Sequence, residues 1–298
     1  MTSHVGAENI RSLLEYLDLR DSVISFLKED LGSGDITSEV LIPKNFNAKA
    51  EVKFKGTTES SVACGIDEAC MVFEICGCNA TKLVEDGTIM TDNQQVIKVK
   101  GDAQGMLKAE RTALNLLMRM SGIATESKKY DSALRNLGVK TLVTATRKTS
   151  PGMRVFDKKA IVIGGGYPHR MGLFDGILIK DNHIAIAGSA SECVNSVRKK
   201  AGRHQKIECE VRSIDELISV VQAGVDVVML DNFSADNAKA AMSKLSDLGL
   251  RNRVLVEVSG GINESNFRNF AELEPDFISV GSITHSTKAA DFSMTIMS

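Results

Sequence analysis

Charged side chains follow a series of short β-rich runs in the second half of the chain. The first run ends in Arg147 and Lys148, the next ends in Lys180, and the following two carry Glu210 and Asp231. Because the carboxyl ends of parallel strands open onto one face of a barrel, we expect these side chains to lie together. Several cations in one place indicate a small ligand with more than one negative charge, since a lone carboxylate would not need so many.

Two glycine-containing turns follow the last two runs. VSGGI places Ser259, Gly260 and Gly261 after one run, and ISVGS places Gly281 and Ser282 after the other. In barrels that bind phosphate, the loops after the last two strands commonly supply glycine amides and a helix N-terminus. The turns therefore predict a site for a terminal phosphate, and the alternative is a pair of tight turns without a ligand.

A third glycine segment, residues 164–166, precedes His169 and Arg170. Three glycines let the backbone approach a ligand closely and supply N–H donors, and the two following side chains add charge. Flexible turns can have the same composition, so the prediction of a binding loop depends on the charged residues that follow. The segment predicts an anion-binding loop.

The elements that hold these residues alternate between β-rich runs and helical stretches. The runs are TLVTAT, GILIK, IECEV, VVMLD, VLVEVSG and FISVG. They end about 20 to 30 residues apart, which is the length of one βα unit, and this alternation indicates parallel strands closed into an α/β barrel.

The first part of the chain mixes helical and strand patterns, which predicts an α+β sandwich domain. The predicted elements are a helix at Ile10–Leu27, a loop at Asp30–Ser38, strands at Ala48–Phe54 and Val96–Val99, and helices at Ile66–Ile75 and Leu107–Met120. The last of these helices is expected to link the two parts.

Composition excludes several classes of protein. The 298 residues are 43% hydrophobic and 25% charged, with a formal net charge of −2. These values exclude a globally basic nucleic-acid binder, and no run reaches the roughly 20 apolar residues that a membrane span requires. The opening residues do not resemble a signal peptide, so a cytoplasmic location is expected.

Four of the six cysteines fall in the first part of the chain, at Cys64, Cys70, Cys76 and Cys78. They form no CxxC pair and have no histidine nearby, which argues against a zinc site. We expect small buried hydrophobic side chains instead, and a disulfide framework is disfavoured without a secretory signal.

Several strings in order closely resemble the quinolinate phosphoribosyltransferase family, also called nicotinate-nucleotide pyrophosphorylase (carboxylating). They are GSGDITSE (32–39), NLLMRMSGIAT (115–125), ATRKTSPGMR (145–154), GGGYPHRMGLFDGILIKDNH (164–183), ECEV (208–211), MLDN (229–232), VSGGI (258–262) and ISVGS (278–282). The resemblance runs from about residue 12 to the end of the chain. It implies that quinolinate and phosphoribosyl pyrophosphate give nicotinate mononucleotide, pyrophosphate and carbon dioxide in NAD biosynthesis, with Mg²⁺ required.

The resemblance also implies an architecture. The expected fold is an N-terminal α/β sandwich domain over 1–114, an open seven-stranded α/β barrel over 115–288 and a C-terminal helix over 289–298. Family members form homodimers, sometimes hexamers of dimers, in which the neighbouring subunit completes each active site. No nucleic acid or membrane is expected as a partner.

Roles for individual residues follow from the resemblance. Arg147, His169, Arg170 and Lys180 match residues around the pyridine dicarboxylate, and Arg111 matches an arginine supplied by the partner subunit. Lys148 matches a lysine between the two substrates, and Glu210 and Asp231 match acids beside the ribose and the magnesium pyrophosphate. The phosphate-site matches are Ser259, Gly260, Gly261, Gly281 and Ser282, with His285 nearby.

Pro168 departs from the family pattern, because many bacterial members carry Asn at this position. A proline here resembles a molybdenum-transport-associated branch of the superfamily, so nicotinate or another pyridine acid is the alternative substrate. Two other classes of protein are each consistent with a single feature of the sequence. Lys180 at a strand end could serve as a Schiff-base lysine of an aldolase, and the glycine turns could belong to a sugar-phosphate binding protein without catalysis.

Overall fold

A computed structural model describes residues 19–56, 61–202 and 204–297 of the chain. The chain divides into two compact units, the first comprising Met1–Lys129, Thr149–Gly165 and Ser286–Ser298, and the second comprising Tyr130–Lys148 and Gly166–His285. The division differs from the predicted boundaries after residues 114 and 288. The first predicted boundary falls inside a continuous helix. The segment Thr149–Gly165 belongs to the first unit, although the segments before and after it in sequence belong to the second unit.

The first unit contains a four-stranded antiparallel sheet in the order β12-β1-β5-β3. Its strands are β1 (Asn47–Phe54), β3 (Asn79–Lys82), β5 (Gln95–Asp102) and β12 (Phe292–Met297), and a separate two-stranded ladder joins β2 (Ser61–Val62) to β4 (Ile89–Met90). Along β1, Ala50, Val52 and Phe54 are buried at alternate positions. This period of two is the signal that predicted the strand from the sequence.

The helices of the first unit confirm most of the predicted helical segments. They are α1 (Leu19–Leu31), α2 (Ile36–Leu41), α3 (Ile66–Ile75) and α5 (Arg154–Ile163), together with the first part of α4 (Ala103–Leu137). The predicted helix at Ile66–Ile75 is confirmed, and Leu107–Met120 is helical as predicted, but α4 continues past the predicted end at Met120 to Leu137. Of the predicted helix at Ile10–Leu27, the part before residue 19 lies outside the described residues. The predicted loop at Asp30–Ser38 is shorter than expected, because α1 continues to Leu31 and α2 begins at Ile36 with Asp35 as its N-cap.

The predicted C-terminal helix over 289–298 is wrong. Residues Phe292–Met297 form β12, which pairs antiparallel with β1 from Phe54↔Phe292 to Lys49↔Met297. The Phe54 and Phe292 rings pack edge to face with centroids 5.5 Å apart. The free edge of β1 and this aromatic pair give the segment more stabilisation as a strand than a short isolated helix would have.

The second unit contains a six-stranded parallel sheet in the order β6-β11-β10-β9-β8-β7. Its strands are β6 (Leu142–Thr144), β7 (Ile177–Ile179), β8 (Ile207–Val211), β9 (Val227–Asp231), β10 (Leu255–Ser259) and β11 (Phe277–Ser279). Tyr167 adds an isolated parallel bridge to Thr144 at the β6 edge, so the described residues form six strands of the seven expected. Between the described residues of β7 and Tyr167 no pairing closes the sheet, as expected for an open barrel.

Helices connect these strands and confirm the alternating α/β pattern. They are α6 (Asp181–Ala187), α7 (Ala190–Lys200), α8 (Ile214–Gln222), α9 (Ala235–Asp247), α10 (Phe267–Ala271) and α11 (Ser282–His285), with a 3₁₀ turn at Arg251–Arg253. Ser189, Ser213 and Ser234 cap α7, α8 and α9 by accepting a backbone N–H three residues ahead. The predicted α/β fold class is therefore confirmed.

Alternation along β8 separates an apolar face from a charged one. Ile207, Cys209 and Val211 are fully buried on one face, whereas Glu208 and Glu210 lie on the other. In a parallel sheet covered by helices, the apolar face packs against the helices and the opposite face lines the barrel interior. The interior of the second unit is therefore partly polar, and it carries the candidate site.

The cysteines of the first unit are free thiols, and three of them, Cys64, Cys70 and Cys78, are buried. Burial raises the pKa of Cys78 to about 11 and that of Cys70 to about 12, as expected for unreactive thiols. In the part of the chain that the structure describes, no helix has the length and apolar character to span a bilayer.

A buried ion cluster joins α5 to α3 inside the first unit. Lys159 Nζ lies 2.8 and 2.9 Å from the two carboxylate oxygens of Glu68, and 2.8 Å from Asp86 Oδ2. The Glu68 side chain is only 3% exposed, so it depends on this cation for compensation of its charge. Asp86 Oδ1 also accepts the Ile66 N–H at the start of α3.

We expect Lys159→Met to lower the free energy of unfolding by roughly 3–5 kcal/mol at neutral pH, because it leaves the buried Glu68 and the half-buried Asp86 without this cation. Burial already raises the pKa of Glu68, and loss of Lys159 raises it further. A carboxyl whose folded-state pKa is raised destabilises the fold above that pKa, so the deficit should shrink as the pH falls towards 5. Urea unfolding of both proteins at pH 7 and pH 5 measures this difference.

Lys82→Met is the matched control, because Lys82 forms exposed ion pairs with Asp67 and Glu85. Exposed pairs contribute little to stability, so this variant should unfold close to wild type at both pH values. Equal losses in the two variants would contradict the role of the buried cluster.

Candidate active site

The Lys180–Glu210 ion pair follows directly from the strand register of the second unit. Leu178 on β7 is the parallel partner of Glu208 on β8, so the residues two positions later, Lys180 and Glu210, project from the same face as neighbours. Lys180 Nζ donates to Glu210 Oε1, and Glu210 is 8% exposed. The structure therefore brings together one predicted cation and one predicted acid.

Asp231 and the Gly260 turn meet at the carboxyl ends of β9 and β10. Asp231 is the register partner of Ser259, and the Asn232 N–H donates to Ser259 O at 2.8 Å. A Cβ atom on Gly260 would lie 2.3 Å from Asn232 Oδ1 and 2.7 Å from Asn232 N. Glycine is therefore required for this close approach, and its φ of 95° independently disfavours a side chain.

Gly261 follows in the same turn with a φ of 63°. Its carbonyl oxygen accepts hydrogen bonds from Asn263 Nδ2 and Asn266 Nδ2, both at 3.1 Å. These bonds hold the turn after β10 in a defined conformation, which is what a backbone anion site needs.

The turn after β11 brings Lys148, Gly281 and His285 together. An added Cβ on Gly281 would lie 3.3 Å from the His285 ring and 3.4 Å from Lys148 Cδ. Thr284 Oγ1 donates to the Lys148 carbonyl at 2.9 Å, which fixes the Lys148 backbone beside this turn. Ser282 begins the short helix α11, so the predicted phosphate residues and the predicted lysine are neighbours.

Arg147 and Arg170 lie close enough to repel each other. Burial lowers the pKa of Arg170, and the positive charge of Arg147 lowers it further. Arg170 Nη1 donates to Gly176 O at 3.0 Å, which orients the guanidinium. Two guanidinium groups held in this way are suited to a ligand with more than one negative charge, which would relieve their repulsion.

His169 lies between two buried acids that the sequence did not single out. Its Nε2 atom is 3.3 Å from Glu208 Oε2 and 3.4 Å from Glu257 Oε2. Ser279 Oγ donates to Glu257 Oε1 at 2.6 Å. Glu208, Glu257 and Ser279 occupy alternate positions of otherwise apolar strands, and this period of two was the signal that could have identified them.

Two features act on the His169 proton in opposite directions. Burial lowers the pKa of His169, but hydrogen bonds to Glu208 and Glu257 more than offset this and raise it to about 9. The Arg170 N–H donates to His169 Nδ1 at 2.7 Å, and this contact opposes protonation of Nδ1. In the cation and in the neutral Nε2–H tautomer alike, Nε2 carries a proton and faces the two acids.

His169, Glu208 and Glu257 could also form a metal-ion site, since one ligand atom from each lies within 4.8 Å of the others. A metal ion would have to replace the Nε2 proton that now joins the imidazole to the acids. The positive charge of Arg170 beside Glu208 disfavours a divalent cation here. We therefore interpret the three residues as an ion-pair cluster.

Arg111 differs from the other predicted site residues in its location. It is an exposed residue of the α4 segment that belongs to the first unit, whereas the remaining site residues belong to the second unit.

Comparison with known proteins gives a consistent result for both parts of the chain. The family model for the N-terminal domain of quinolinate phosphoribosyl transferase matches residues 35–121, and the model for its C-terminal domain matches residues 123–295. A probable nicotinate-nucleotide pyrophosphorylase [carboxylating] from Methanothermobacter thermautotrophicus is 37% identical over 278 residues, covering 93% of this chain and 99% of the relative. Its counterpart from Bacillus subtilis is 35% identical and covers 95% of each chain.

Solved structures agree with these relatives. The nicotinate-nucleotide pyrophosphorylase from Francisella tularensis superposes with a TM-score of 0.85 at 36% identity, covering 94% of this chain and 96% of the other. The enzyme of the same name from Ehrlichia chaffeensis gives a TM-score of 0.87 at 32% identity, with 94% and 99% coverage. The chain therefore belongs to the quinolinate phosphoribosyltransferase family.

Proposed function

We propose that the chain transfers the phosphoribosyl group of phosphoribosyl pyrophosphate to quinolinate, giving nicotinate mononucleotide, pyrophosphate and carbon dioxide in NAD biosynthesis. The observation that carries this proposal is the convergence of paired cations, two acids and two glycine turns on the carboxyl ends of the strands of the second unit. This combination matches a substrate with two carboxylates and a second substrate with several phosphates.

The dicarboxylate is assigned to Arg147, Arg170 and Lys180. Arginine binds a carboxylate through two parallel N–H donors, and the repulsion between these two guanidinium groups falls when an anion lies between them. Lys180 already interacts with a carboxylate in Glu210, so a substrate carboxylate can take over part of that interaction. His169 and the partner's Arg111 complete this assignment by family resemblance.

The phosphoribosyl group is assigned to the turns after β10 and β11 and to the neighbouring acids. The turns containing Ser259, Gly260 and Gly261 and containing Gly281 and Ser282 receive the 5′-phosphate through backbone N–H groups, with His285 beside them. Breaking the C1–O bond to pyrophosphate develops positive charge on the ribose. Glu210 and Asp231 stabilise that charge, while Lys148 neutralises the departing pyrophosphate.

Glu210 and Asp231 also fit Mg²⁺. Carboxylate oxygens are its preferred protein ligands, and the ion usually combines one or two of them with water and substrate phosphates. Both acids project from the same face of adjacent strands, since Met229 is the register partner of Glu210 and Asp231 follows two positions later. When bound, Mg²⁺ would offset charge on the pyrophosphate.

Loss of carbon dioxide follows from the ribosylated substrate itself. Attachment of the ribose makes the pyridine nitrogen cationic, and this charge stabilises the carbanion that remains when the adjacent carboxylate leaves. The protein need not supply a base for this step. The carbanion then takes a proton from water in place of the lost carboxylate, while the protein residues hold the ring in position.

A direct assay tests the proposed reaction. The purified protein is incubated with phosphoribosyl pyrophosphate, Mg²⁺ and either quinolinate or nicotinate, and mononucleotide and carbon dioxide are both measured. Quinolinate should yield equal amounts of the two products. Turnover of nicotinate alone, without carbon dioxide, would support the branch suggested by Pro168, and no turnover with either acid would contradict the proposal.

We expect Arg147→Ala and Arg170→Ala to lower the affinity for quinolinate far more than the affinity for phosphoribosyl pyrophosphate. Each change removes a charge-assisted pair worth about 1.5–3 kcal/mol, which corresponds to roughly 10- to 150-fold in affinity. Calorimetric titration of each substrate measures the effect. Arg268→Ala, which removes an exposed arginine of α10, is the control, and equal losses for both substrates would contradict the assignment.

Gly281→Asp should lower the affinity for the mononucleotide product much more than Gly281→Asn does. The two new side chains have nearly the same shape, so their difference isolates the repulsion between a carboxylate and the 5′-phosphate. A difference of about tenfold or more is expected, since a like-charge contact in a partly buried site costs more than 1.4 kcal/mol. Equal affinities in the two variants would place the phosphate elsewhere.

The Arg111 proposal is that this residue serves the active site of the partner subunit in a homodimer. Arg111→Ala and Lys148→Ala should each be nearly inactive, yet mixing the two with subunit exchange should restore activity. A heterodimer then has one site with both changes and one site with neither, so recovery should approach about one quarter of wild type. Mass spectrometry verifies exchange, and exchange without recovery would mean that Arg111 acts within its own chain.

A further inference from the structure

A series of polar contacts joins Ser279, Glu257, His169 and Arg170 within the second unit. Ser279 Oγ donates to Glu257 Oε1 at 2.6 Å, and Glu257 Oε2 lies 3.4 Å from His169 Nε2. His169 Nδ1 in turn accepts the Arg170 N–H at 2.7 Å. These contacts therefore link the interior of the sheet to the backbone of Arg170, which is one of the arginines assigned to the dicarboxylate.

Because these residues are buried, each depends on its polar partner. Glu257 is 2% exposed and Ser279 is 4% exposed, so neither can exchange its partner for bulk water. A buried carboxylate that loses a hydrogen bond is left with an uncompensated desolvation cost. Each member therefore holds the next in one orientation.

Strand register explains why Glu257 and Ser279 meet. Glu257 on β10 is the parallel partner of Phe277 on β11, and Ser279 follows Phe277 by two residues on the same face. His169 approaches from the loop after Tyr167, with a φ of 53° that few residues other than glycine adopt. Contacts to its ring must offset the cost of this conformation, and Glu257 supplies one of them.

We propose that Glu257, held by Ser279, is a positioning residue for the anion subsite: it fixes the His169 ring and, through that ring, the backbone of Arg170. Glu208 makes a second contact to His169 Nε2 from β8, so it also helps to position the ring. Glu257 is assigned no contact with the substrate. This inference rests on the proposed function, because its readout is the binding of the dicarboxylate.

The test is the steady-state kinetics of Glu257→Gln, with both substrates varied in turn. Glutamine keeps the shape of the side chain but removes the charge that faces His169. We expect KM for quinolinate to rise about tenfold, with kcat and KM for phosphoribosyl pyrophosphate changed by no more than about threefold. Glu272→Gln, the same substitution at an exposed position of the same unit, should leave all three constants at their wild-type values.

Ser279→Ala provides a second and milder test. It removes only the hydroxyl that fixes Glu257, so the quinolinate KM should rise about threefold and the other constants should not change. This variant decides the matter if Glu257→Gln does not fold. A purely structural role would instead raise both KM values and lower kcat together in either variant.

Turnover by the wild-type protein distinguishes an error in the proposed function from an error in the role of Glu257. If wild-type protein lacks turnover with quinolinate, the proposed function is wrong. If wild-type protein is active and both variants bind quinolinate as wild type does, the function stands and the positioning role of Glu257 is wrong.

Discussion

The register of β8 against its neighbours is the constraint on which the candidate site depends. With Leu178 opposite Glu208, Lys180 and Glu210 become neighbours, and the acids face the interior of the sheet. A slip by one residue would turn both acids outward and place Ile207 and Cys209 inside. Burying two carboxylates against the surrounding helices would be costly, so packing of the apolar face fixes the position of the charged face.

Charge balance explains why so many ionic groups can share a small volume. Glu210 offsets Lys180, and Glu208 and Glu257 surround His169. Arg170 experiences both signs of charge, because Arg147 lowers its pKa whereas Glu208, Asp175 and Glu210 raise it. An anion bound beside both arginines would reduce the repulsion between them.

The first unit uses a buried ion pair for a different purpose. Lys159 on α5 compensates Glu68 on α3, and Arg119 on α4 binds both oxygens of the fully buried Asp157 at 2.7 Å. These contacts tie the segment 149–165 to the first unit, although in sequence it interrupts the second. Linear order along the chain is therefore a poor guide to the units here, since ionic contacts between distant segments decide membership.

The sequence by itself determined the α/β class, most of the strands and helices, and the groups that converge at the strand ends, because period and turn chemistry are local properties. Family motifs covering most of the chain gave the identity. Only the tertiary structure decided that Phe292–Met297 is a strand, since its partner β1 lies far away in sequence. It also decided the roles of Glu257 and Ser279, whose chemistry depends on a hydrogen bond between two strands and a contact with the strained His169 loop.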